Sequence, residues 1–348
     1  MTRAHQPAYF AASPLPHLTY PAVQEAVSGY ARQHELAQEL DDGSWISVGT
    51  SYGTYRFVAE DAGVRAEVSA SRADWHRMLK DNLADMLEHY APDTAAAIHW
   101  SDAEGAGARP ANFQLMSILS VTPLGRNFLR IEAQAQDLSS FNEDSIHFRL
   151  ALPKPGNTEP EWPVVTEGGT TRWPSGAKSL HRPVYTARFA DPVTNILTFD
   201  VFIHEGGRTT AWAQSASPGQ VIGLTGPGGG GVPQTEKISI YSDETGFPAV
   251  ARLMEALPET VSGHVILQAG EAGAYDLPHH PGLTVEWAAR PDGGCLAETA
   301  ISALPQDPQH FLWFTAERAQ TQKLRAHCKS IGLDTKAHYI AAYWTASQ

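Results

Sequence analysis

Residues 181–189 read HRPVYTARF, so one short strand carries two guanidinium groups, Arg182 and Arg188, around an adjacent ring and hydroxyl, Tyr185 and Thr186. Guanidinium forks suit phosphate, an aromatic ring stacks on a planar heterocycle, and a hydroxyl donates to a ring nitrogen. A flavin carrying a pyrophosphate needs all three. A plain strand with solvated arginines has the same composition, and both readings stay open on these residues. A second stretch, ISIYSDETGFPAVARL, runs from a strand through a short loop into a helix, with Thr245 near the cap and Pro248 in the first turn. Free N–H groups at such a junction favour phosphate, although every α/β protein has such junctions and neither GxGxxG nor GxxxxGK[ST] is present. GLTGPGGGGVP lets backbone approach a ligand closely or serves as a pliable connection.

The rest of the composition narrows the classes. A formal charge of -13 argues against general affinity for nucleic acid or anionic membrane. An anionic ligand therefore needs a locally basic pocket, for which Arg149, Arg208 and Lys323 are candidates. No apolar run reaches the ~20 residues of a membrane helix, and the first residues lack the pattern of a secretory signal, so membrane insertion is not expected and the cytoplasm is. Cys295 and Cys328 have no CxxC partner, and His279 and His280 sit in a Pro-flanked loop with no HExxH elsewhere, so no metal ligands are expected. No triad or carboxylate pair stands out as catalytic machinery.

The elements that must position these groups fall into three styles. Residues 1–102 read as a small α+β domain: a helix through Val23, Val27 and Tyr30, a hairpin with Phe57, Val64 and Val68 inward, and a helix capped by Ser71 with Trp75, Leu79, Leu83, Met86 and Tyr90 on one face. His76 and His89 read as surface residues of that helix, and AAIHW as a strand. Residues 103–111 read as a linker. Residues 112–233 hold short strands punctuated by Gly and Pro, the pattern of an antiparallel β-barrel. Residues 234–348 alternate compact apolar strands with helices, the pattern of an α/β parallel-sheet domain.

The order SIHFRL, VYTAR, FDVFIHEGGRTTAWAQSASPGQVIGLTGPGG, SDETGFPAVARLMEALP, WFTAE and AYW resembles the siderophore-interacting protein family, the ViuB-like ferric-siderophore reductases of the ferredoxin-reductase-like group, over roughly residues 112–348. The N-terminal segment is similar to a small domain of unknown function. The resemblance implies an FAD-binding barrel followed by an NADPH- or NADH-binding lobe, with a ferric siderophore as substrate. Tyr185 and Thr186 match the family's flavin-contacting pair, with Arg188 beyond; His147 and Phe148 match its His-aromatic strand. His204, Gly207 and Trp212 lead to a phosphate-side turn formed by Gly226, Gly228 and Gly229, while Asp243, Glu244 and Thr245 match the loop over the nicotinamide nucleotide. Glu317 and Trp344 match the closing motifs. Pro183 stands where the family has arginine, and Arg182 lies one residue further back, a step that reverses its face unless a bulge intervenes. Ala316 and Ala342 replace glycines, each adding a methyl group. Two other readings share this fold: a siderophore-binding protein without flavin redox activity, and a flavin reductase serving a protein partner.

Overall fold

The structure, a computed structural model, describes residues 8–346 apart from 34, 35, 42, 51, 62, 143, 158, 271, 272, 274, 290–294, 305, 306 and 308. In chain order the first elements are β1 (Tyr9–Leu15), α1 (Tyr20–Gln33), β2 (Ala37–Asp41), β3 (Trp45–Thr50), β4 (Gly53–Glu60), β5 (Gly63–Ala70), α2 (Ala73–Tyr90) and α3 (Pro92–Ala96). Next come β6 (Phe113–Leu124), β7 (Phe128–Gln134), β8 (His147–Ala151), β9 (Val164–Val165), β10 (Thr171–Arg172), β11 (Val184–Thr186), β12 (Phe189–Asp191), β13 (Ile196–Phe202), α4 (Arg208–Ser215) and β14 (Val221–Gly228). The chain ends with β15 (Lys237–Asp243), α5 (Phe247–Ala256), β16 (Ser262–Ala269), β17 (Leu283–Ala289), α6 (Leu296–Ser302), β18 (Phe311–Glu317), α7 (Arg318–Ser330) and β19 (Tyr339–Trp344).

These elements form two compact units, one from the chain up to Gln114 together with Gly156–Leu180, the other from Leu115–Pro155 together with His181 onward. The first is an antiparallel sheet in the order β1-β5-β4-β3-β2. Period-two alternation in β5 buries Val64, Ala66, Val68 and Ala70 on one face, where they meet Phe57 and the α2 side chains Leu79, Leu83 and Leu87. Ser71 is not the cap of α2: Arg72 holds that position in extended conformation and pairs with Asp74. Nor is His76 on the surface, since it is buried 3.6 Å from Asp102, while Tyr90 is largely exposed. AAIHW forms no strand; Ile98 and Trp100 are buried on a stretch held by isolated bonds, Trp100 N to Gly168 O at 3.0 Å and Ser101 N to Ala12 O at 2.7 Å.

The segment 156–180 leaves the barrel stretch of the sequence and is built into this first unit. Asp81 of α2 accepts from Thr171 N and Oγ1 at 3.1 and 2.7 Å, and Arg77 donates to Gly169 O at 2.6 Å. Gly168 runs so close to the chain at Ile98 that a Cβ there would lie 2.1 Å from the Ile98 carbonyl oxygen. Gly168→Ala is therefore expected to cost roughly 1–3 kcal/mol, because backbone has to move to admit the methyl group. A thermal melt of the full chain checks this, and an unshifted midpoint would contradict it.

The second unit holds two sheets. One is antiparallel, in the order β11-β8-β14-β6-β7-β13-β12, and its end strands β11 and β12 are consecutive in sequence. The chain changes partner between them, with Ala187 N bonding Ile146 O and Arg188 N bonding Thr198 O, so the seven strands curl into a barrel around Ile131, Phe148, Leu150, Leu197, Phe199 and Leu224. The other sheet is parallel, in the order β17-β16-β15-β18-β19. Ile238 and Ile240 of β15 meet α5 on one face; Tyr241 meets α6 and α7 on the other, which is why β15 reads as a continuous apolar run. A barrel followed by an α/β sheet is the architecture expected from the sequence. Among the described residues no helix is long and apolar enough to cross a membrane.

Candidate functional site

The stretch around Tyr185 is a single extended segment laid on β8. Thr186, Tyr185 and Val184 pair with His147, Phe148 and Arg149, and His181 pairs with Leu152, so the register runs from 181 to 186 without a bulge. Side chains therefore alternate, and Tyr185, Pro183 and His181 share one face while Thr186, Val184 and Arg182 share the other. Arg182 thus points away from Tyr185 and is exposed, its carbonyl receiving Arg149 Nη1 at 3.4 Å. Pro183 holds the place on the tyrosine's face where the family likeness puts a guanidinium, and His181 is the next residue back on that face.

Tyr185 is half-buried, its ring 5.9 Å from Phe199, and burial pushes its hydroxyl up to about 12. Thr209, in the first turn of α4, partly offsets that rise, and its Oγ1 lies 3.1 Å from His181 Nε2. Helix α4 is anchored by Trp212 and Ala213, which enter the barrel core. Its N-cap is Gly207, which makes no side-chain cap bond and so leaves the first-turn N–H groups without a capping side chain; in that turn Arg208 is exposed and Thr209 buried. A Cβ on Gly207 would lie 2.7 Å from the ring of His204, an exposed side chain whose Nδ1 is 3.1 Å from Glu205 O. An uncapped helix start with a cationic residue, a half-buried aromatic ring and the Thr186 hydroxyl suits a pyrophosphate ester attached to a flat ring system.

Arg188 goes elsewhere. It is buried, makes a two-point pair with Glu255 of α5 at 2.5 and 2.7 Å, and lies 4.0 Å over the Phe189 ring. A guanidinium expected to offset phosphate charge thus neutralises a carboxylate and ties the barrel to α5. The glycines also divide. A Cβ on Gly229, at φ +77°, would meet His147 Nδ1 at 2.7 Å, and one on Gly226, at φ +136°, would meet Phe148 Cβ at 3.1 Å. Both are required by close packing on β8, whereas Gly228 faces open space within 4 Å.

The remaining residues gather at the carboxyl edge of the parallel sheet. Asp243 accepts from Thr245 N at 3.0 Å and Oγ1 at 2.5 Å, and from Trp344 Nε1 at 2.7 Å; burial raises its carboxyl above the ordinary value. Thr245 is not the cap of α5: Asp243 caps the short turn Glu244–Gly246, and α5 opens at Phe247 with its first residues buried rather than facing solvent. Glu244 is buried and accepts from Gly270 N at 3.2 Å. Glu317 caps α7, accepting from Ala319 N and Gln320 N, and also receives Ala346 N at 3.3 Å. The Ala316 methyl group lies in the core with Leu324 and Cys328, and Ala342 is exposed. Lys323 pairs with Glu298 on the α6 side, while Arg149 and Arg208 belong to the barrel.

One contact joins the two groups. His147 Nε2 lies 2.6 Å from the hydroxyl of Tyr343, and Tyr339 of the same strand stacks on Trp313 at 3.9 Å. His147 is fully enclosed, and burial with the Arg252 charge lowers it to about 4. Its folded value lies below the unfolded one near 6.5, so neutral His147 supports the fold above that pH and the support is lost as pH falls towards 4. The loss is on the order of 3 kcal/mol. Urea titrations at stepped pH check this, with His147→Gln expected to flatten the slope between those two values.

His181, Thr209 and Glu255 were not singled out as site residues in the sequence, whereas Tyr343 was reached through the closing Tyr-Trp motif. For His181 the signal was present: counting back from Tyr185 in steps of two reaches it and skips Arg182. For the other two no local pattern exists.

Comparison with known proteins matches this second unit. The family model "Siderophore-interacting FAD-binding domain" matches residues 117–231, and "Siderophore-interacting protein" matches residues 235–347. An NADPH-dependent ferric-chelate reductase of Escherichia coli is 31% identical over 244 residues, covering 67% of this chain and 93% of that protein. The ferric vibriobactin reductase ViuB of Vibrio cholerae is 27% identical over 186 residues, 51% of this chain and 66% of ViuB. Among solved structures, a siderophore utilization protein from T. fusca superposes with a TM-score of 0.60 at 24% identity, over 68% of this chain and 94% of that one. The siderophore-interacting protein SipS from Aeromonas hydrophila superposes with a TM-score of 0.57 at 21% identity, over 68% and 93%. These two share the fold.

Proposed function

Because the chain belongs to the siderophore-interacting protein family, we propose that it is an FAD-dependent oxidoreductase that uses NADPH or NADH to reduce ferric siderophores and so release their iron. The observation that carries this is the meeting of Tyr185, Thr209 and the uncapped start of α4 inside the segment matched by the FAD-binding family model. FAD, when bound, accepts two electrons together and passes them on singly, which lets a nicotinamide serve a one-electron acceptor such as ferric iron.

The chain's own residues supply position and electrostatics. The Tyr185 ring offers a stacking surface, and the Thr186 hydroxyl, on the adjoining residue, a hydrogen bond to the ring system. The α4 amides with Arg208 take the pyrophosphate. At the sheet edge, Asp243, Glu244 and Thr245 with Glu317 and Trp344 offer a polar rim for the nicotinamide dinucleotide. The Asp243–Trp344 bond fixes the aromatic residue at that rim. No side chain needs to act as nucleophile, and iron arrives and leaves on its chelator, since Fe²⁺ holds hard oxygen ligands less tightly than Fe³⁺. A cytoplasmic site of action belongs to this reading.

The carrier alternative draws on Pro183, Ala316 and Ala342; of these, Ala316 packs into the core beneath α7. Anaerobic titration of FAD-loaded protein with NADPH is expected to bleach the flavin, and a ferric siderophore added next, with no protein partner, to restore the colour at once. A flavin that NADPH leaves oxidised, or that the chelate fails to reoxidise, would count against the reductase.

A further inference from the structure

We propose that His181 is the phosphate ligand standing in for the displaced guanidinium, and that it makes retention of FAD depend on pH. This rests on the flavin reading above and identifies one contact within it.

The geometry comes from the unbroken register along β8. Pro183, the residue on the tyrosine's face nearest to Tyr185, has neither charge nor donor, and Arg182 lies on the other face. The next residue back on the correct face is His181. Its Nε2 lies 3.1 Å from Thr209 Oγ1, which places the histidine against the first turn of α4. That helix start has no capping side chain. Thr209 from α4 and Leu152 from β8 lie against His181, and the charge that acts on it is that of Arg208, also from α4. In a chain of net charge -13, a corner presenting a histidine and an arginine to uncapped amides is built for an anion.

Without an anion, burial and then the Arg208 cation hold His181 below its ordinary value. Two ionised phosphate oxygens beside the ring reverse that balance and favour the imidazolium. Binding and protonation then promote each other by linkage. The phosphates of FAD do not titrate near neutrality, so the pH response belongs to the protein. Because the bound value lies above the free one, affinity is greatest in acid and declines as pH rises through the bound value.

The test uses the full chain stripped of flavin, with FAD and riboflavin as probes, followed by flavin fluorescence. Wild type is expected to hold FAD roughly tenfold more tightly at about pH 6 than at about pH 8, with no such slope for riboflavin, which lacks the pyrophosphate. His181→Gln should bind FAD at every pH as wild type does at the alkaline end, and His181→Arg should bind tightly without a slope. A flat wild-type profile, a glutamine variant that keeps the slope, or an arginine variant that keeps it would each overturn the assignment while leaving flavin binding intact. Failure of wild type to take up FAD at any pH would overturn both.

Discussion

Replacing Asp200 with alanine is expected to destabilise the protein by roughly 3–5 kcal/mol, the cost of stranding the partners of a buried charge. The carboxylate on β13 is buried, receives Arg130 Nε and Nη2 at 2.8 Å each, and accepts a hydrogen bond from Tyr275. Its pair holds the Arg130 guanidinium above its usual range, and burial with the Asp200 charge raises the Tyr275 hydroxyl. The Arg130 and Arg188 guanidiniums both lie over the Phe189 ring, at 5.7 and 4.0 Å from its centre. Losing Asp200 therefore leaves a cation and a hydroxyl without their acceptor where the barrel meets the loop that follows β16. Thermal unfolding should show a drop on the order of 10 °C, and Asp200→Asn, which keeps one acceptor, a smaller one. A loss under about 1 kcal/mol for the alanine variant would place the pair among solvated surface bridges.

Tyr185→Ala is expected to weaken FAD binding by about tenfold to hundredfold, the scale of removing an aromatic platform from a stacked heterocycle. The ring rests on the barrel core near Phe199. Tyr185→Phe should therefore stay within about threefold of wild type, because ring area and not the hydroxyl carries the stacking. Titration of the flavin-free protein near neutral pH separates the two variants. If alanine binds FAD as well as wild type does, the strand is structural and the flavin lies elsewhere.

How much of this was legible beforehand depended on the distance in sequence between cause and effect. The alternation in β5 and the helical spacing of α2, the short strands punctuated by Gly and Pro in residues 112–233, and the apolar runs of β15 and β18 are local, and they led to a small α+β domain, a barrel and a parallel sheet without any tertiary information. The face of Arg182 was legible in the same way, since period two alone separates it from Tyr185. The cap of α5 was harder: Thr245 suits it, but a short turn capped by Asp243 is inserted before the helix and leaves Gly246 at the α5 N-cap.

The amino-acid sequence by itself determined the strands and helices, the family likeness and the set of residues available for chemistry, because periodicity and motif order act through neighbours on the chain. Only the tertiary structure decided their partners: Arg188 with Glu255, Asp243 with Trp344, His147 with Tyr343, and the segment 156–180 with the first unit. Those choices follow from charge pairing and close packing between segments far apart in the chain, where the cost of a buried unpaired group selects the contact and no local pattern records it.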